Sequence, residues 1–265
     1  MKIGFIGAGN MGYAMIKGAQ TIFQNAIVYT DVSNERCEYV KAKTGIEYLE
    51  SNQDVIDHSD IIVLAIKPQY YTSVLMDMTI ASDKIIISIA PGMTIEFVNA
   101  FINGSPKIVR AMPNTPALIG EGMSSVSFGD YDFSDEEKKI IMSLFSSFGK
   151  ASELPEKLMD AVVPLSGSSP AYVYMFIEAM ADAAVVQGMP RQTAYEMAAQ
   201  SVLGAAKMVL ETKEHPGVLK DQVCSPGGTT IAAVRSLEKN GFRSAVIEAM
   251  MTCYDKTLSF KKKED

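Results

Sequence analysis

A short apolar run at residues 2–6 ends in Gly7-Ala8-Gly9-Asn10-Met11-Gly12, and an amphipathic stretch follows over residues 11–23. Three glycines in a G-x-G-x-x-G spacing between a strand and a helix constrain the chain severely. The first permits a tight turn. The second lets backbone approach a pyrophosphate, and the third lets helix and strand pack closely. The helix start supplies unpaired N–H groups and the positive end of its dipole. Asp31 closes the next strand 19 residues after Gly12, where an acid that binds a ribose belongs. The chain therefore begins as a dinucleotide-binding βαβ unit. Which dinucleotide is left open. Asp31 would accept from a free ribose 2′-hydroxyl and repel a 2′-phosphate, whereas Ser33, Asn34 and Arg36 are placed to cradle that phosphate if Asp31 turns away. Both NADP(H) and NAD(H) are expected to serve.

The same rhythm continues. Apolar runs at residues 26–30, 61–66, 85–89 and 108–111 read as strands, the last ones continuous enough to be covered on both faces. Helices are predicted over residues 34–43, 69–78 and from Thr94, with Ser51 capping a short turn that reaches Asp57. After residue 116 the strands thin out. Ser134-x-x-Glu137 is a capping-box signature for a helix reaching about residue 148. From Glu156 the chain reads as wholly helical, with Pro170, Gly188 and Pro190 punctuating two long helices. The expected architecture is α/β, a Rossmann-type mostly parallel sheet followed by an all-helical C-terminal domain. The expected domains are residues 1–155 and 156–265.

Composition narrows the class. With 265 residues, 48% of them apolar, the chain can build its own core, and a net charge of −7 argues against a nucleic-acid or anionic-membrane partner. Cys37, Cys224 and Cys253 lack paired spacings, and only His58 and His215 accompany them, so no metal site is expected. The N-terminus does not read as a leader, no apolar run of about 18 residues occurs, and the expected location is the cytoplasm. Seventeen methionines against no tryptophan, many of them late in the chain, suggest adaptable packing. Met175, Met180 and Met208 are expected at an interface between subunits. Residues 261–265, Lys-Lys-Lys-Glu-Asp, read as a solvated tail.

Ligands of open α/β sheets lie beyond the carboxyl ends of the strands. The loops expected there are Ala65-Ile66-Lys67-Pro68, Ala90-Pro91-Gly92 and Arg110-Ala111-Met112-Pro113-Asn114. Lys67 is either a partner of the nicotinamide ribose or proton donor, or a solvated loop lysine; Arg110, inside its strand, reads as structural. In the helical half, Ser225-Pro226-Gly227-Gly228-Thr229-Thr230 feeds a helix whose free N–H groups suit a carboxylate, unless Thr229 is simply its N-cap. Ser166-Gly167-Ser168-Ser169-Pro170 is a second turn at a helix start. His215 before Pro216 reads as a cap, and Tyr172 and Tyr174 as packing.

Taken together, the stretches 7–12, 65–68, 110–116 and 165–172, and above all His215-Pro216-Gly217 through Ser225–Thr230, resemble pyrroline-5-carboxylate reductase along nearly the whole chain. The late block is the most specific. The resemblance implies NAD(P)H-dependent reduction of 1-pyrroline-5-carboxylate to L-proline, and dimers with interlocked helical domains that often build decamers. It implies substrate-carboxylate binding by Gly228, Thr229 and Thr230, with the Thr230 hydroxyl near the imine nitrogen and Glu156 near the substrate. It adds a cofactor contact at Asn52 and sets Lys67 beside the nicotinamide, so that with the loops read above the expected cofactor contacts are Gly7, Ala8, Gly9, Asn10, Met11, Gly12, Asp31, Ser33, Asn34, Asn52, Ala65, Ile66, Lys67, Pro68, Ala90, Gly92 and Asn114. Two positions depart from the pattern. Pro91 stands where many relatives have alanine and cannot donate an N–H, and Gln222 replaces an asparagine of some relatives. The β-hydroxyacid dehydrogenases share the layout but use a lysine on the first helix after the boundary; here no lysine occurs between Lys157 and Lys207. A non-catalytic dinucleotide sensor would have no use for the Ser225–Thr230 turn.

Overall fold

The computed structural model describes residues 1–261; of the solvated tail read in residues 261–265, Lys261 instead closes the last helix, and residues 262–265 lie outside the described residues. Two compact units are present, Met1–Pro170 together with the chain from Cys253 onward, and Ala171–Thr252.

The first unit is built on β1 (Ile3–Ile6), α1 (Asn10–Phe23), β2 (Ile27–Thr30), α2 (Asn34–Thr44), α3 (Asn52–Asp57), β3 (Ile61–Leu64) and α4 (Tyr71–Met76). It continues through β4 (Thr79–Ile80), β5 (Ile85–Ser88), α5 (Ile95–Phe101), β6 (Asn103–Gly104), β7 (Lys107–Met112), β8 (Gly122–Ser127), α6 (Asp135–Ser146), β9 (Gly149–Glu153) and α7 (Met159–Val162). Seven strands form one sheet in the order β2-β1-β3-β5-β7-β8-β9, and β4 and β6 form a separate two-stranded sheet. The first five strands of the large sheet run parallel; β8 is antiparallel to β7, and β9 is parallel to β8. The expected mostly parallel Rossmann-type sheet is therefore observed.

The strand period of two divides the core. Phe5, Val63, Ile87 and Val109 pack on one face with Met15 and Ile16 of α1 and Leu144 and Phe145 of α6. On the other, Ile62, Leu64, Ile86 and Ile108 pack with Val55 of α3, Leu75 of α4 and Val98 of α5. Continuous apolar runs result because both faces are covered.

Four local expectations are corrected. Strands β8 and β9 lie where the strands were expected to thin out, and the helix expected to reach about residue 148 stops at Ser146. Strand β8 reads Gly-Met-Ser-Ser-Val-Ser, with Ser124, Ser125 and Ser127 buried, so Val126 alone carries the β-branched apolar signal. The helix expected over residues 69–78 is instead a 3₁₀ turn at Pro68–Tyr70, then α4, then β4, since Pro68 sets only a tight turn. The strand expected over residues 61–66 ends at Leu64.

Both capping expectations hold. Ser51 and Asp54 form a capping box, as do Ser134 and Glu137. Glu137 also takes both of its oxygens to Lys107 Nζ, at 2.9 and 2.8 Å. Burial pushes the Glu137 carboxyl up, but the bonds from Lys107 and Ser134 outweigh it and hold it below its ordinary value of 4.5. A carboxyl depressed by folding stabilises the protein above that ordinary value, and the contribution disappears as the pH falls through the folded-state value. Lys107→Met should therefore cost about 1 kcal/mol at neutral pH and make stability less sensitive to acid. Urea denaturation of both proteins at neutral pH and below pH 4.5 checks this; parallel losses in the two would contradict it.

The second unit holds most of α8 (Ser169–Val186), then α9 (Arg191–Thr212), α10 (Pro216–Val223), α11 (Thr229–Lys239) and most of α12 (Phe242–Lys261). Helix α9 starts behind Pro190, and Gly188 turns with a φ of 93°, matching the expected punctuation. Among its described residues, Ala181, Ala194 and Ala198 are buried. Met175, Val186, Leu210 and Ile247 lie exposed.

Candidate active site

The order of the sheet reverses between β2-β1 and β3, which places the loop after β1 at the topological switch point. Each glycine there has a distinct reason. Gly7 adopts a φ of 97°, and a Cβ on it would lie 2.6 Å from the Ala65 carbonyl oxygen. A Cβ on Gly12 would lie 2.2 Å from the Gly7 carbonyl oxygen, so α1 can press on β1 only without a side chain. A Cβ on Gly9 would meet nothing within 4 Å. The fold itself does not require glycine at that position. Gly9 is also the N-cap of α1 and offers no side-chain cap, so the first N–H groups of the helix are left without a side-chain partner.

The other loops converge on the same sheet edge. Asp31 ends β2, and its Oδ2 accepts from Ala8 N at 2.7 Å while Oδ1 accepts from Ser33 N at 2.9 Å. Ser33 caps α2, and Asn34 opens it. Tyr48 bridges Tyr29 in parallel, carrying the chain along β2 so that Asn52 opens α3 on this side. Ala65 follows β3, with its N–H donated to Ile6 O at 2.8 Å. Ile66 comes next, and Lys67 stands exposed before the Pro68 turn. Tyr71 anchors that turn: its hydroxyl donates to Leu64 O at 3.0 Å and accepts from Ser88 Oγ at 3.1 Å. Burial pushes the phenol up to about 12, so it remains a neutral donor. Ala90 and Gly92 follow β5, both buried.

Beyond β7 the side chain of Asn114 is committed to structure. Its Oδ1 accepts from Met123 N and its Nδ2 donates to Ser166 O, each at 2.9 Å. It thereby ties β8 to the π-helical turn Val163–Gly167, which runs into the Ser166–Pro170 turn. Arg110 is structural, as expected: 3% exposed, it pairs with Asp160 at 2.7 Å and lies 3.6 Å from Glu156 Oε1. The same Glu156 oxygen accepts from Ile95 N at 2.8 Å and so holds the start of α5, beside the Ala90–Gly92 loop. Sequence reasoning missed Asp160. An arginine inside an apolar strand requires a buried acid, and Glu156 and Asp160, four residues apart, were the signal.

In the second unit Gly227 turns with a φ of 68°, and Gly228 N donates to Ser225 O at 3.0 Å. Gly228 is the N-cap of α11, which corrects the alternative that Thr229 caps it. Thr229 and Thr230 occupy the first two helical positions, and among the described residues neither hydroxyl has a partner. His215 caps α10 as expected, its Nδ1 accepting from Gly217 N at 3.1 Å. Gln222 is exposed on α10.

A family model for pyrroline-5-carboxylate reductase dimerisation matches residues 156–259, and one described as NADP oxidoreductase, coenzyme F420-dependent, matches residues 2–92. The curated pyrroline-5-carboxylate reductase of Escherichia coli is 49% identical over 267 residues, covering 98% of each chain. That of Methanosarcina acetivorans is 44% identical, covering 99% of this chain and 98% of the relative. The chain belongs to the pyrroline-5-carboxylate reductase family. A crystal structure of Plasmodium falciparum pyrroline carboxylate reductase with NADP bound covers 98% of both chains at 34% identity, with a TM-score of 0.89. Family membership extends over both units. No helix among the described residues is long and apolar enough to cross a membrane.

Proposed function

We propose that this chain reduces 1-pyrroline-5-carboxylate to L-proline with NAD(P)H, the last step of proline biosynthesis. The observation that carries this reading, beside family membership, is the uncapped start of α11, where free N–H groups and two unpartnered threonine hydroxyls stand behind a Gly-Gly turn. That arrangement suits a carboxylate held by a helix N-terminus. The dinucleotide supplies the hydride. The protonated cyclic imine accepts it at carbon, and its nitrogen retains the proton, so the protein need supply neither a metal nor a strong acid. Its contribution is position.

Gly228, Thr229 and Thr230 hold the carboxylate, and the Thr230 hydroxyl sits by the imine nitrogen. The glycine loop, Asp31, Ser33, Asn34, Asn52, the 65–68 loop, Ala90, Gly92 and Asn114 frame the dinucleotide. Asn114 acts through the backbone it fixes, and exposed Lys67 serves the nicotinamide side. The place of Glu156 near the substrate rests on the resemblance alone, since its Oε1 is engaged. Proline-dependent reduction of NAD(P)⁺ at alkaline pH tests the reading. Its absence together with the forward reaction would favour a dinucleotide sensor.

Residues 156–265 form the substrate-binding and dimerisation part of this reading, and residues 1–155 the dinucleotide part. Met175 and Met208, 67% and 49% exposed, have apolar surface that a partner subunit would cover. A dimer, built up to a decamer, in the cytoplasm is the proposed state. Met208→Glu should lower the assembled mass at micromolar concentration in light scattering, because burying an unpaired carboxylate is costly. An unmodified chain that is monomeric there would contradict the proposal.

A further inference from the structure

The loop after β5 is held by a part of the chain that no sequence motif marks. Met93 N donates to Ala90 O at 3.4 Å, closing a turn with Pro91 and Gly92 at its centre. Gly92 has a φ of 78°, the geometry of a type II turn with proline ahead of glycine. Past the turn, Glu156 holds Ile95 N at 2.8 Å. Gly92 itself lies against the last turn of α12. A Cβ on it would sit 3.0 Å from Phe260 Cβ, and 3.5 Å from both Phe260 Cδ2 and the Thr257 carbonyl oxygen.

Cys253, Thr257 and Phe260 follow an i, i+4, i+7 spacing, so they share one face of α12, and this end of the helix belongs to the first unit. Thr257 is buried, and its hydroxyl donates back to Cys253 O at 2.9 Å. Cys253 Sγ donates to Ser168 Oγ at 3.4 Å, and Lys256 Nζ lies 5.6 Å from the centre of the Phe260 ring. The face is therefore fixed at Ser168 and at Gly92.

The place of the turn in the sheet gives this contact a use. The order β2-β1-β3-β5 puts the glycine loop between the end of β2 on one side and those of β3 and β5 on the other. A dinucleotide with its pyrophosphate on the glycine loop and its adenosine ribose at Asp31 extends its nicotinamide half toward β3 and β5. The Ala90–Gly92 turn then borders the ring that gives up the hydride. Hydride transfer tolerates little misplacement, since an error of about 1 Å can cost roughly a hundredfold in rate. Gly92 has no side chain with which to lock the turn, and the phenyl ring of Phe260 fills that role from outside.

We propose that Phe260 is a positioning residue, which packs on Gly92 and so holds the Ala90–Gly92 turn against the nicotinamide half of the dinucleotide. The proposal rests on the dinucleotide reading above. NADPH and 2′-phospho-ADP-ribose, which lacks only the nicotinamide, separate the two in titration calorimetry of the full chain. The unmodified chain should bind NADPH the more tightly of the pair. Phe260→Ala should weaken NADPH about tenfold and 2′-phospho-ADP-ribose by about twofold at most, because only one half of the ligand loses its place. The fluorescence of the bound reduced nicotinamide should move toward that of free NADPH. Phe260→Leu, apolar but without the ring, should fall between, and serves if the alanine variant does not fold. Equal weakening of both probes would make Phe260 a contact of the fold alone and overturn the proposal. Unchanged NADPH binding and fluorescence in Phe260→Ala would overturn it too, as would equal affinity of the unmodified chain for the two probes. An unmodified chain that binds neither probe overturns the dinucleotide reading, and the proposal with it.

Discussion

Gly12→Ala is expected to destabilise the protein by about 3 kcal/mol and to abolish dinucleotide binding, with Tm falling by roughly 6–12 °C. The added Cβ would sit 2.2 Å from a backbone oxygen, that of Gly7, which has no flexible side chain to swing aside. Helix α1 must then lift from β1, moving every N–H group at its start. Gly9→Ala provides the contrast. Its backbone, with φ at −57°, accepts alanine, and the new methyl meets nothing within 4 Å. Stability should change by no more than about 1 kcal/mol, the scale of an N-cap substitution. Dinucleotide affinity should nevertheless fall about tenfold or more, because the methyl occupies the space of the pyrophosphate. Thermal melts with and without NADPH distinguish the two variants. Equal affinity of Gly9→Ala and the unmodified chain would remove the phosphates from this loop.

Thr230→Ala should lower turnover about a hundredfold, the scale set by loss of one positioned donor at a reacting centre. The hydroxyl has no partner among the described residues, and alanine suits the second position of a helix, so folding and dinucleotide affinity should stay near their original values. Thr230→Ser restores the hydroxyl and should restore most of the rate. Steady-state kinetics with 1-pyrroline-5-carboxylate, alongside NADPH binding, checks all three proteins. Unchanged turnover in Thr230→Ala would take that side chain out of the mechanism.

The most legible part of the chain was the part governed by local rules. Ile61–Leu64 and Ile85–Ser88 are buried on both faces, so their apolar character alone marks them as inner strands. Gly7 and Gly12 are required by contacts two or more elements wide, yet their spacing encodes those contacts. Ser51 and Ser134 bring their own partners within three residues. What escaped depends on neighbours distant in sequence. Strand β8 is buried because β7 and β9 flank it, although half its residues are serine. Arg110 and Asp160 are 50 residues apart and meet only in the fold. Asp31 was legible as a ribose-side acid, but its commitment to Ala8 and Ser33 depends on side-chain direction. In the second unit Met175 and Met208 are exposed, which their apolar character does not announce.

The most direct test of the account is the assay of purified protein with 1-pyrroline-5-carboxylate and each reduced dinucleotide. The expected result is substrate-dependent oxidation of the dinucleotide with L-proline formed in equal amount. Protein that binds NADPH but oxidises neither dinucleotide and forms no proline would contradict it.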